Sequence, residues 1–219
     1  MSAVVPYFYA PELVMGSVVF QTHGLALCIG AVAGILVASW QSRRLLLPTG
    51  VIADTVPFVA IAAVLGGHIS FLWMTSRGNP VSVWDGQSLT GAILFGGIAA
   101  VACLYLRLRY SERLFSDIWD HLNVFALAAL LGGSIAKVGC FLSHERVGSP
   151  TSAWLGVQGI GLNGRAAHDL ALYDLLIMAA SFAALAIWSS TRGKNDFSLL
   201  VLLALGGVLP LMHSALSKA

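Results

Sequence analysis

The chain has 219 residues, of which 58% are hydrophobic and only 10% charged, with a formal net charge of +2 and a mean hydropathy of +0.83. Soluble domains carry about 25% charged residues, so this composition excludes an ordinary water-soluble enzyme, and the scattered Lys and Arg give no reason to expect a nucleic-acid partner. It predicts an all-α, polytopic transmembrane helical bundle, a single integral membrane domain over residues 1–219.

A helix crossing the roughly 30 Å hydrocarbon core needs about 20 mostly apolar residues. Pro6 and Pro11 make the first sixteen residues a short irregular arm. Six spans are predicted after it: 17–40, 51–74, 89–106, 117–142, 168–189 and 197–216. Rich in Leu, Ala, Val and Gly without period-2 alternation, they are unlike the strands of an outer-membrane barrel. No Lys or Arg precedes Arg43, so no basic leader of a cleaved signal peptide is expected.

Arg43 and Arg44 follow the first span, Arg107, Arg109 and Arg113 the third, and Arg192 and Lys194 the fifth. The positive-inside rule puts those loops in the cytoplasm and both termini outside. Trp40, Trp73, Trp119 and Trp188 fall near span ends, where indoles favour the interface. Gly30-x-x-x-Gly34 and several Gly-Gly pairs permit close helix approach, with plain packing as their simplest role. Gly159 through Gly164 fits a dinucleotide fingerprint but follows no strand, so that meaning is discarded. Cys28, Cys103 and Cys140 show no C-x-x-C spacing, so neither a disulfide framework nor a metal site is expected, and no cofactor.

An ionisable side chain at bilayer depth costs about 2.5–3.5 kcal/mol on insertion scales and needs a partner, a cavity or a task. The candidates crowd the outward half: His23, His68, Asp85 with Thr90, then Lys137, Cys140, His144 and Glu145 closing span four, and His168, Asp169, Tyr173 and Asp174 opening span five. At 100° per residue Lys137, Cys140 and His144 lie within about 60° around a helix, with Glu145 about 80° from Lys137. A salt bridge from Lys137 to Glu145 or another acid is expected. A cation, carboxylates and imidazoles gathered near the outer headgroups suit phosphate binding and proton transfer. Taken singly, each has a plainer role: the histidines as interhelical hydrogen-bonders, Cys140 as a small packing residue, Tyr173 as an interfacial anchor. Asp117 and Asp120 read as helix caps.

The blocks His23-Gly24-Leu25, Leu65-Gly66-Gly67-His68-Ile69, Val83-Trp84-Asp85-Gly86 with Thr90-Gly91, Gly133 through Glu145, and His168 with Leu172-Tyr173-Asp174 follow in an order that resembles one family, the prolipoprotein diacylglyceryl transferases of bacterial inner membranes. Such enzymes move a diacylglyceryl group from phosphatidylglycerol to the thiol of a lipobox cysteine in a secreted preprotein. The resemblance implies that Lys137 and a protonated His68 hold the phosphate, with Arg146 or Arg165 assisting and Asp85 and Thr90 nearby. It also implies that His23 or His168 is the base, that Glu145 orients or pairs with Lys137, and that Tyr173 belongs to the catalytic group. Cys140 as a covalent carrier is a variant of the same scheme.

The chain departs from the family pattern as a shortened, divergent member. Lys137 and His68 stand for Arg, Cys140 for Asn, Thr90 for His and Ala167 for Arg, and the late Arg…Glu…Arg helix has no counterpart in 197–219 beyond His213 and Lys218. The alternative is a non-catalytic lipid- or protein-binding scaffold of the same fold, or a transferase with another lipid or acceptor. A small-solute transporter ranks last, because a proton relay should cross the midplane.

Overall fold

A computed structural model describes residues 5–75, 88–192 and 197–218. After a two-stranded hairpin, β1 (Glu12–Met15) and β2 (Val18–Gln21), come α1 (Thr22–Arg44), α2 (Thr49–Thr75), α3 (Leu89–Leu108) and α4 (Leu114–Ser143). A second small sheet, β3 (Val147–Pro150) with β4 (Ala167–Asp169), precedes α5 (Leu170–Arg192) and α6 (Ser198–Lys218). All six helices are long and apolar enough to cross a membrane. Ile29, Leu36, Phe58, Ile98, Ile187 and Leu211 are exposed along them, as lipid-facing surfaces require.

The predicted spans match these helices within a few residues, and the differences have local causes. The arm is not irregular throughout: β1 and β2 pair antiparallel with Met15 opposite Val18. Gly16 supplies the positive φ (64°) of the two-residue turn between them. Span five does not begin at His168, because α5 starts at Leu170 and His168 belongs to β4. Asp169 Oδ1 accepts from Ala171 N and Leu172 N at 3.0 and 3.1 Å, the geometry of a helix N-cap. At the end of α4, His144 takes φ 47° and leaves the helix, so the helical angles assumed for His144 and Glu145 do not apply.

The chain divides into two compact units, Met1–Leu36 with Ala128–Ile187 and Val208–Ala219, and Val37–Leu127 with Trp188–Gly207. In the first unit, α1 and α4 cross antiparallel on glycines. A Cβ on Gly132 would meet the Gly30 carbonyl oxygen at 2.7 Å, and one on Gly34 the Ala128 carbonyl oxygen at 3.3 Å. Further along, α4 packs on α5, where Met178 Cε occupies the space beside Gly133. In the second unit, α2 and α3 run antiparallel, Gly66 against Phe95 and Gly91 against Ser70. Asp54 and Arg107 pair at 3.0 Å on its exposed side. Leu104, Val124 and Leu127 are fully buried. There Asp117 lies in the first turn of α4 and accepts from Ser111 Oγ of the preceding loop.

Replacing Gly132 by Val should overpack the α1–α4 crossing and destabilise the protein by about 1–3 kcal/mol. Gly24→Ala, whose Cβ would meet nothing within 4 Å, serves as the comparison. Thermal unfolding in detergent checks this, and equal midpoints for both variants would remove the crossing as a packing determinant.

Candidate functional site

The polar groups of the first unit gather where α1 begins, α4 ends, α5 begins and α6 ends. At the centre stands Asp174 of α5, fully buried. Its Oδ2 accepts from Lys137 Nζ of α4 at 2.6 Å, and its Oδ1 lies 2.8 Å from His213 Nε2 of α6. Lys137 and His213 are themselves only 17% and 13% exposed. Removing an isolated carboxylate from water into an apolar interior is prohibitive, so the two basic groups are what allow Asp174 to sit there. Lys137 thus pairs with Asp174 rather than with Glu145, because Glu145 lies beyond the left-handed residue that ends the helix. Asp174 reaches Lys137 because α4 and α5 run antiparallel.

Glu145 meets His23 instead. His23 Nδ1 lies 3.3 Å from Cys140 Sγ and 3.4 Å from Glu145 Oε1, and Ser143 Oγ donates to the same carboxylate oxygen at 3.2 Å. His23 stands in the first turn of α1 because β2 runs directly into that helix, with Thr22 Oγ1 donating to Ala10 O at 2.6 Å. Gly139 brings α4 against the backbone at His23, where a Cβ would lie 2.7 Å from its Cα.

Two further pairs flank these. His144 Nδ1 donates to Asp169 Oδ2 at 2.6 Å, both side chains being buried. The rings of Tyr7 and Tyr9 stack near His144, with centroids at 5.2 and 6.3 Å. His168 Nδ1 and the Tyr173 hydroxyl share a hydrogen bond of 2.6 Å. Burial lowers the His168 pKa below its ordinary 6.5, so the imidazole is neutral at pH 7. Arg146 accepts from Leu170 N through its carbonyl at 3.1 Å, which ties the end of α4 to the start of α5. Arg165 is exposed in the loop before β4.

Of the residues expected to form one site, His23, Lys137, Cys140, Glu145, His168 and Tyr173 all fall at this end of the first unit. His68 on α2 and Thr90 on α3 belong to the second unit, and Asp85 lies outside the described residues. In that second unit Thr90 Oγ1 donates to Gly206 O at 3.3 Å. Thr90 also sits on an almost wholly apolar groove of about 860 Å³, lined by residues such as Ile93, Gly97, Tyr105, Leu122 and Leu203. Sequence reasoning passed over His213, which the structure joins to Asp174. The available signal was that an imidazole in a span of otherwise apolar residues needs a buried acid.

A family model described as prolipoprotein diacylglyceryl transferase matches residues 12–209. The phosphatidylglycerol–prolipoprotein diacylglyceryl transferase of Synechococcus sp. (strain CC9902) is 28% identical over 149 residues, 64% of this chain and 51% of that protein. That of Enterococcus faecalis is 26% identical over 152 residues, 63% and 52% of the two chains. That of Halalkalibacterium halodurans is 24% identical over 213 residues, 89% and 71%. The chain spans about half the length of most of the curated relatives it matches. Together with the six apolar helices, these likenesses make it a multi-pass membrane protein.

Lys137→Ala leaves Asp174 buried beside His213 alone and should destabilise the protein by about 3–5 kcal/mol. Removing both groups in Lys137→Ala/Asp174→Ala should recover a large part of that loss. Unfolding of the single and double variants in detergent measures the coupling, and additive losses would mean that the pair contributes nothing to the packing of α4 on α5.

Proposed function

Because the chain belongs to the prolipoprotein diacylglyceryl transferase family, we propose that it moves a diacylglyceryl group from a phosphatidylglycerol-like phospholipid to the thiol of a lipobox cysteine in a secreted preprotein. One observation carries this reading. Consecutive residues at the start of α5 hold the two kinds of group the reaction needs, Tyr173 bonded to His168 and Asp174 bonded to Lys137 and His213.

In the proposed step the acceptor thiol loses its proton and its sulfur attacks the terminal glyceryl carbon of the lipid. The new C–S bond replaces the C–O bond, whose electron pair leaves on glycerol phosphate. Charge develops on that phosphate, so donors fixed beside it lower the barrier. Lys137 has N–H groups beyond the one given to Asp174, and His213, when protonated, is a second cation. Arg146 and Arg165 lie on the loop side of the same unit and would assist. His168 is the better placed of the two imidazoles considered as base. With Nδ1 protonated and donating to the Tyr173 oxygen, its Nε2 keeps a lone pair for the thiol proton, and its lowered pKa keeps it neutral at pH 7. His23 is occupied by Cys140 and Glu145.

Taken by itself, the apolar groove of the second unit, with Thr90 in its lining, has the volume and surface to take an acyl chain. We place the chain in the bacterial inner membrane with both termini outward, since the basic residues follow α1, α3 and α5. A scaffold of the same fold draws its support from Lys137, whose charge Asp174 already answers, so that a phosphate must compete for it.

Expressed in cells depleted of their own transferase, the chain should add a diacylglyceryl mass to a model prolipoprotein. Lys137→Ala and Lys137→Ala/Asp174→Ala should both abolish the shift, while Cys28→Ala leaves it unchanged. Proper membrane insertion without any shift would favour the scaffold. In a purified assay the rate should rise with pH through an apparent pKa below 6.5, as His168 loses its proton, and His168→Ala should abolish turnover. A full rate at a pH well below that limb would exclude His168 as base.

A further inference from the structure

We propose that His23, Cys140 and Glu145 form a metal site that binds one Zn²⁺ ion per chain. Their ligand atoms, Nδ1, Sγ and a carboxylate oxygen, all lie within 4.8 Å of one another. Two of the three edges are 3.3 and 3.4 Å. Zinc bonds run about 2.0–2.2 Å to nitrogen and oxygen and about 2.3 Å to sulfur. The edge of a tetrahedron is about 1.6 times its centre-to-corner distance, so adjacent ligands of such an ion are separated by about 3.3–3.7 Å. The two observed edges fit, and the third, from Cys140 Sγ to the carboxylate of the exposed Glu145, lies within 4.8 Å.

The donor set selects the ion. A thiolate, an imidazole and one carboxylate suit zinc, whereas calcium and magnesium take oxygen ligands throughout. Among the described residues no fourth His, Cys, Asp or Glu completes the group, which leaves one position for water or an anionic oxygen. Two of the three ligands are held by helices. His23 and Cys140 stand on α1 and α4, whose backbones meet at Gly139, and Glu145 follows the end of α4, its carboxylate 3.2 Å from Ser143 Oγ, whose shorter hydrogen bond goes to Gly139 O at 2.9 Å. Side-chain exposures of 36% for His23 and 44% for Glu145 give an ion a way in.

The proposal stands apart from the transferase reading, since binding can be measured without turnover. Binding exchanges the thiol proton for the ion and needs no other reactant. The full chain, purified in detergent and stripped with a chelator, is titrated with Zn²⁺ against a chromophoric competitor and, separately, with Co²⁺. The expected result is saturation at one ion per chain and a thiolate-to-cobalt charge-transfer band with the visible bands of tetrahedral cobalt. Cys140→Ser should abolish the charge-transfer band. His23→Ala and Glu145→Gln should each weaken zinc binding by about tenfold or more, since even outer-shell changes cost about 10–100-fold. Cys28→Ala and Cys103→Ala should change nothing. Circular dichroism and a monodisperse elution profile establish that each variant is folded, and Glu145→Gln, at an exposed position, tests the site if Cys140→Ser is not. Absence of saturable binding, or a band that survives in folded Cys140→Ser, would overturn the proposal.

Discussion

A carboxylate with no access to water must have its charge answered where it lies. Asp174 is such a group, and its two oxygens are claimed by Lys137 and His213 from the helices on either side. Hydrophobic burial cannot by itself choose among helix rotations in a bilayer, because lipid is as apolar as the side chains it would replace. The buried cluster of Asp174, Lys137 and His213 can choose, since a rotation of α4 or α5 would strand an ion and one of α6 would remove a partner of the Asp174 carboxylate. It therefore acts in the first unit as the register pin that a polar core residue provides in a coiled coil. The glycine crossing of α1 on α4 then sets how close the fourth helix approaches.

The helical spans were legible because hydropathy over about 20 residues reports directly on bilayer crossing. Their ends were less so. That α5 begins after His168 depends on Asp169 turning its side chain back onto Ala171 and Leu172, and a Pro-containing arm gave no sign that Gly16 would close a hairpin. Sequence reasoning could name costly residues such as Lys137, Cys140, Glu145 and His168, but not their pairings, nor that His68 and Thr90 fall in the second unit. The angular argument for Lys137, Cys140 and His144 assumed that the helix continued. His144 adopts a left-handed backbone conformation that a histidine rarely takes, so it swings to Asp169 and delivers Glu145 to His23. The partner of Lys137 was out of reach of local reasoning, since contacts between α4 and α5 span a long loop and depend on how the helices pack.

Two departures from the family pattern, Lys137 and Cys140, lie about one turn apart on α4. Cys140 touches His23 of α1. Beside that contact His144 is bonded to Asp169. Lys137 itself bonds to Asp174 of α5, the residue next to Tyr173, whose hydroxyl is bonded to His168. The last helix, poor in charge by sequence, still contributes a titratable group to the cluster through His213.

Asp169 does two jobs with two oxygens. One caps α5, and the other grips the imidazole under Tyr7 and Tyr9. The aromatic arm and the first turn of the fifth helix are therefore tied by a single knot. Whatever loosens the arm would also tug on the turn that presents Tyr173 and Asp174. A disturbance at the surface would then reach the interior through one side chain.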